Sequence, residues 1–139
     1  MKQREKHLGQ FFTPAEVART LVSWLAAKPT DRILDPSCGD GLFLALHRRS
    51  VGVEVDSEHA AIARERAPSA LIHSGDFFTW AAKTTERFEA AVGNPPFIRY
   101  QLFAGEVREN AFKIASKLGA QFSGLSSSWA PFLVAAASL

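Results

Sequence analysis

Short apolar runs separated by stretches of helical periodicity constrain the fold of this chain more than any other feature. Arg32-Ile33-Leu34-Asp35, Val51-Gly52-Val53-Glu54-Val55, Ala70-Leu71-Ile72-His73 and Phe88 to Val92 each read as a short strand. Thr13-Pro14-Ala15-Glu16 fits a capping box, with Thr at the N-cap, Pro at the first helical position and Glu at the third. It opens a helix whose apolar stripe is Val17, Ala18, Leu21, Val22 and Leu25, stopping by Lys28 before Pro29. Leu42 to about Arg48 is expected to be a short helix, and Ser57 to Ala67 a longer one ended by Pro68. Val107, Ala111, Ile114, Ala115 and Leu118 mark an amphipathic helix, and Ser126 to Ser128 can cap a final helix running to Leu139. Trp24 and Trp80 are expected in the core. Strands alternating with helices imply right-handed βαβ units, hence an α/β fold with a parallel, doubly wound sheet. Such a sheet normally has more than four strands, and no strand follows the last helix. Residues 1–139 are therefore expected to form a single partial domain, the amino-terminal part of a larger catalytic domain truncated after about four strands.

Composition narrows the functional classes. With 139 residues, 47% hydrophobic and 22% charged, the chain suits one globular domain. A net charge of +2 is compatible with nucleic acid but does not argue for it, because a nucleic-acid footprint needs clustered charge. Cys38 is the only cysteine, which excludes a disulfide framework and a cysteine-rich zinc site. His7, His47, His59 and His73 have no metal-binding spacing and read as surface or packing residues, so no metal is expected. No secretory signal stands at Met1-Lys2-Gln3-Arg4-Glu5-Lys6, and the longest apolar stretch, Pro131 to Leu139, is too short to cross a membrane. A reduced, cytoplasmic setting without a membrane partner is the default expectation.

Chemistry concentrates at the ends of the expected strands. Asp35-Pro36-Ser37-Cys38-Gly39-Asp40-Gly41 lies where the first strand passes into a helix, and Gly39 and Gly41 let the backbone turn tightly against a ligand. The dinucleotide pattern G-x-G-x-x-G is absent, because Leu44 holds the third glycine position. Glu54 ends the second strand, where a carboxylate at a switch point accepts both hydrogen bonds from ribose hydroxyls; a plain turn and a solvated strand end are the alternatives. Gly75-Asp76-Phe77-Phe78 closes the third strand, with Asp76 suited to an exocyclic amine and Phe77 to the π-face of an adenine ring. Asn94-Pro95-Pro96-Phe97 follows the fourth strand. Its prolines fix their own φ and hold the preceding residue extended, so an amide, a carbonyl and an aromatic face stand on one stiff edge. That edge suits a flat molecule bearing an amino group; a plain proline-stiffened strand exit is the alternative.

In this order the motifs resemble the first half of an S-adenosylmethionine-dependent adenine-N6 DNA methyltransferase of the restriction-modification kind. The match covers about Gly9 to Leu139. Gly9-Gln10-Phe11-Phe12-Thr13-Pro14 resembles the amino-terminal cofactor motif, Asp35 to Gly41 the cofactor loop, and Val53-Glu54-Val55-Asp56 the ribose-binding strand end. Gly75-Asp76-Phe77 is similar to the adenine contact, Asn94-Pro95-Pro96-Phe97 to the catalytic turn, and Trp129-Ala130-Pro131-Phe132-Leu133 to the start of the helix backing the pocket. The resemblance implies a Rossmann-like sheet with S-adenosyl-L-methionine as cofactor. Its expected contacts are Phe12, Thr13, Pro14, Asp35, Pro36, Ser37, Cys38, Gly39, Gly41, Glu54, Val55, Asp76, Phe77, Asn94 and Phe132. Phe132 reads equally well as core. Catalysis would fall to Asn94, Pro95, Pro96 and Phe97. The Asn94 side-chain oxygen and the Pro95 carbonyl would accept the two amino hydrogens, localising the nitrogen lone pair as it pyramidalises. Phe97 would stack on an adenine flipped out of double-stranded DNA. Cys38, lying in the cofactor loop, is not expected to act as a nucleophile. Arg99, Arg108, Lys113 and Lys117 are candidate phosphate contacts, with a solvated helix face as the alternative for the last three.

Rival readings keep the fold and change the substrate: protein-glutamine N5 and ribosomal RNA guanine-N2 methyltransferases also carry an Asn-Pro-Pro-aromatic turn. The Gly-Gln-Phe-Phe-Thr-Pro start argues against both, and Asn94 in place of Ser argues against cytosine-N4 methylation. A non-catalytic split subunit is the rival of a different class. A target-recognition domain is expected to lie outside the chain, and activity of the chain alone is expected to be weak or absent. The strand edge at Phe88–Val92 is expected to self-associate or to pair with the remaining half.

Overall fold

The computed structural model describes residues 12–96, 104–123 and 127–139. Within them run α1 (Ala15–Leu25), β1 (Ile33–Asp35), a 3-10 turn (Leu44–Leu46), β2 (Ser50–Glu54), α2 (Ser57–Arg66), β3 (Leu71–Ser74), α3 (Phe77–Ala81), β4 (Ala90–Ala91), α4 (Gly105–Lys117) and α5 (Trp129–Ala137). The four strands form one parallel sheet in the order β3-β2-β1-β4. The chain winds outward from β1 to β3, then returns to the other side of β1 for β4. The strand order therefore reverses between β1 and β4, and in open α/β sheets ligands bind outside the carboxyl ends of the strands at such a point.

Register decides which helix covers which face. Leu34 pairs with Val51, and these two with Val53 pack on Phe77, Phe78, Ala111, Phe132 and Ala135 from α3, α4 and α5. Ile33, one residue away and so on the opposite face, packs with Ala18 and Val22 of α1. Ile72 pairs with Gly52 and packs with Cys38, Ala60 and Ala63, the last two from α2. All five residues of β2 are buried, as expected of a strand covered on both faces. Phe78 and Leu34 are wholly enclosed, each such side chain contributing roughly 1.5–3 kcal/mol.

Several elements depart from the sequence reading. The capping box does not form: Pro14 is the N-cap, with φ −58 and ψ 139, and no side chain caps the helix. The extended ψ at Pro14 delays the helix to Ala15. Only part of the expected stripe of α1 faces inward; Val17, Leu21 and Trp24 are exposed, Trp24 by 78%, so Trp24 is not a core residue. Trp80, by contrast, packs against the aromatic cluster. The helix expected from Leu42 to Arg48 is reduced to a single 3-10 turn, because the chain re-enters the sheet at Ser50, whose hydroxyl donates to the carbonyls of Leu44 and His47. The segment after β3 is helical. Asp76 accepts hydrogen bonds from the backbone N–H and hydroxyl of Thr79 at 2.7 and 2.9 Å, an N-cap that starts α3. β4 is two residues long, and the N–H of Phe88, just before it, donates to the Leu139 carbonyl. Among the described residues no helix is long and apolar enough to cross a membrane.

Candidate active site

The four strand ends open into one cavity of about 420 Å³, within the range typical of small-molecule sites. Its floor is the loop after β1. Cys38 N–H donates to the Val53 carbonyl at 2.9 Å, and Gly41 N–H to the Cys38 carbonyl at 2.9 Å. Gly41 has φ +83, and a Cβ there would stand 2.9 Å from the Ala63 Cα, so only glycine lets the loop lie against α2. Asp40 of the same loop pairs with Arg66 of α2.

Glu54, 3% exposed, holds this loop to the second strand. One carboxylate oxygen accepts the Gly39 N–H at 2.8 Å and the other accepts the Asp56 N–H at 2.8 Å. Asp56 in turn caps α2 through the N–H groups of Glu58 and His59. Asp35 ends β1 with 1% exposure, and its Oδ1 accepts the Ser37 N–H at 3.1 Å. Burial pushes its carboxyl up to about 7; the Ser37 N–H pulls the other way, and the Glu54 charge adds to the rise. The same burial, with the charges of Asp35 and Glu54, drives the Cys38 thiol well above its ordinary range. Burial of this kind disfavours the thiolate, the nucleophilic form of cysteine.

The far wall is aromatic. Phe77 stacks on Phe132 with centroids 5.1 Å apart and planes at 17°, and Phe132 meets Phe78 edge-on at 4.7 Å. Phe132 thus belongs to the core cluster and to the cavity wall at once. The cap made by Asp76 uses Oδ2 alone. At the end of β4, Gly93 packs so closely on Asp35 that a Cβ would stand 2.7 Å from Oδ1. Asn94 and Pro96 follow it onto the cavity wall.

Of the residues expected at the site, Phe12, Thr13, Asp35, Pro36, Ser37, Cys38, Gly39, Glu54, Val55, Asp76, Phe77, Asn94, Pro96 and Phe132 line this one cavity. Pro14, Gly41 and Pro95 are not among its lining residues, and Phe97 and Arg99 lie outside the described residues. Sequence reasoning missed His59 and Val107, which also line it. Ser128 is the N-cap residue of α5, within the expected Ser126 to Ser128, but its hydroxyl makes no cap bond and donates to the Pro96 carbonyl at 2.7 Å. No local signal reveals a bond between residues 32 positions apart. Ser126 lies outside the described residues. Among the described residues no group of three His, Cys, Asp or Glu side chains could hold a metal ion.

Residues 1–65 match the sequence model of the family described as N-6 DNA Methylase. The Type II methyltransferase M.CvrRI of Paramecium bursaria Chlorella virus XZ-6E is 34% identical over 102 residues, covering 69% of this chain and 26% of the viral protein. Over these residues the chain is similar to the N-6 DNA methylases. The tRNA1(Val) (adenine(37)-N6)-methyltransferase of Cronobacter sakazakii is 34% identical over 90 residues, covering 55% of this chain and 37% of that protein. The chain thus spans about a quarter to a third of the length of these curated relatives. Among solved structures, one described as a class I S-adenosylmethionine-dependent methyltransferase from Listeria monocytogenes superposes with a TM-score of 0.63. It is 18% identical, over 88% of this chain and 40% of that one, and shows the shared fold.

Proposed function

We propose that the cavity binds S-adenosyl-L-methionine and that the chain supplies the cofactor site and catalytic turn of an adenine-N6 DNA methyltransferase of restriction-modification type. The observation that carries this reading is the convergence of four strand ends on one cavity. The loop after β1, Glu54, Asp76-Phe77 and the Asn94 turn meet there in the order the resemblance requires. The residues fit the cofactor. Glu54 is a buried carboxylate whose two backbone donors fix its orientation, leaving each oxygen a further acceptor site for ribose hydroxyls. The stacked Phe77 and Phe132 rings offer an apolar wall to an adenine ring. Ser37 Oγ, a cavity-lining hydroxyl without a partner among the described residues, offers a polar contact. When bound, the cofactor supplies an electrophilic methyl group.

On this reading the chain's own contribution is positional. Asn94 and the Pro95 carbonyl accept the two hydrogens of the target amine, and the proline-stiffened turn holds both acceptors without reorganisation. Phe97 stacks on the base, and Arg99, Arg108, Lys113 and Lys117 are the candidate phosphate contacts, with a solvated helix face as the alternative for the last three. Target recognition comes from outside these residues. Among the described residues β4 is an edge strand, and beyond Phe88, whose N–H the Leu139 carbonyl already takes, its outer side is where a further strand pairs, from a longer chain or a second copy.

Calorimetric titration of S-adenosylmethionine into the chain, with Glu54→Ala as control, tests the cofactor site. Loss of a charge-assisted hydrogen bond, about 1.5–3 kcal/mol, weakens binding roughly ten- to a hundredfold. Absence of binding by the wild-type chain overturns the assignment. Methyl acceptance by unmethylated DNA, tRNA and a glutamine-containing peptide separates the substrate classes, and label on guanine or glutamine alone overturns the adenine-DNA reading.

A further inference from the structure

The turn Asn94-Pro95-Pro96 contains two successive residues without a backbone N–H, so neither proline can donate a hydrogen bond that would pin it. Each proline can be hydrogen-bonded only through its carbonyl, by a donor from elsewhere. The structure provides one: the hydroxyl of Ser128, 0% exposed, donates to the Pro96 carbonyl at 2.7 Å. Ser128 directly precedes α5, and one helical turn later the same helix carries Phe132 into the cavity, stacked on Phe77. Beyond the other end of α5, the Leu139 carbonyl accepts the Phe88 N–H. The α5 segment is therefore tied to the chain on both sides of β4, before the strand at Phe88 and after it at Pro96.

We propose that Ser128 is a positioning residue that sets the geometry of the Asn94 turn and couples it to occupation of the aromatic end of the cavity. By holding the Pro96 carbonyl it fixes the end of the turn, and it leaves the Pro95 carbonyl to the target amine. A ligand ring seated against Phe132 loads α5, and the Ser128 bond carries that constraint to the turn. Cofactor binding thus orders the acceptors before the base arrives. This inference rests on the cofactor reading above.

The test is amide hydrogen exchange of the peptide covering residues 88–96, with and without S-adenosylhomocysteine, in wild type, Ser128→Ala and Ser128→Thr. In wild type the ligand slows exchange at this peptide. Ser128→Ala binds the ligand with a Kd within about twofold of wild type, yet exchange there stays roughly three- to tenfold faster in the bound state, the equivalent of one neutral hydrogen bond. Ser128→Thr, which keeps the hydroxyl, restores the slowing. Trp129→Ala, a half-exposed neighbour on the same helix, leaves it intact. Ligand-dependent slowing that survives Ser128→Ala overturns the coupling. So does a folded Ser128→Thr without slowing, or loss of fold and binding together in both Ser128 variants. Wild type that binds S-adenosylhomocysteine with no change at this peptide sinks the coupling alone, whereas wild type that fails to bind sinks the cofactor reading with it.

Discussion

Replacing Glu54 by Gln keeps the shape of the side chain and removes its charge, which isolates the hydrogen-bonding role of the carboxylate. Both carboxylate oxygens act as acceptors, one for Gly39 N–H and one for Asp56 N–H, each at 2.8 Å. A glutamine amide has one oxygen and one NH2 group. Whichever way it is turned, one buried backbone donor faces another donor. The cost is a lost charge-assisted bond and an unsatisfied N–H, together about 2–3 kcal/mol. For a domain of this size that corresponds to a fall in Tm of roughly 6–12 °C. Thermal unfolding followed by circular dichroism measures it, with Glu54→Ala alongside. Glu54→Ala removes both acceptors and leaves two buried N–H groups unsatisfied, so it is expected to melt lower than Glu54→Gln. A Glu54→Gln variant melting within about 2 °C of wild type would refute the view that Glu54 is a structural acceptor for the cofactor loop.

Two further outcomes follow from the same neighbourhood. Gly93→Ala places a methyl group 2.7 Å from Asp35 Oδ1, so it should destabilise the chain by about 1–3 kcal/mol through overpacking, read as a lower Tm; an unchanged Tm would show that the β1 and β4 ends are not in contact. Asp35 binds its proton more tightly in the folded chain, where its pKa is about 7, than in the unfolded chain, near 3.8. The stability it contributes is therefore complete below about pH 4 and is lost as pH rises toward 7. Relative to Asp35→Asn, wild type should lose up to about 4 kcal/mol between pH 4 and pH 8 in urea unfolding, and a pH-independent difference would refute the burial of this carboxyl.

How much of this was legible in the sequence differs by feature. The parallel α/β sheet was readable because apolar runs such as Arg32-Ile33-Leu34-Asp35 and Val51 to Val55 are local signals, and alternation with helices leaves few topologies open. The site was readable because a doubly wound sheet brings the carboxyl ends of its strands together whatever the details, so motifs at those ends must meet. Capping and helix length were less readable. Thr13 had the composition of a cap and Leu42 to Arg48 the composition of a helix, but an extended proline and an early return to the sheet overrode both. The aromatic run after Asp76 passed for a strand end, although Asp76 and Thr79 are spaced as a cap and its partner.

By itself the sequence determined the order of the four strands, of the helices other than α3, and of the chemical stations along them, because these depend on residue type over a few positions. Tertiary structure alone decided which partner each polar atom finds and which face each apolar residue turns inward. Trp24 lies on an exposed face despite its helical spacing, Asp35 is buried deeply enough to hold a proton near neutrality, and Ser128 bonds a turn 32 residues away. The physical reason is common to all three. Burial and hydrogen-bond partnership are properties of where distant segments pack, and short-range spacing carries no record of them.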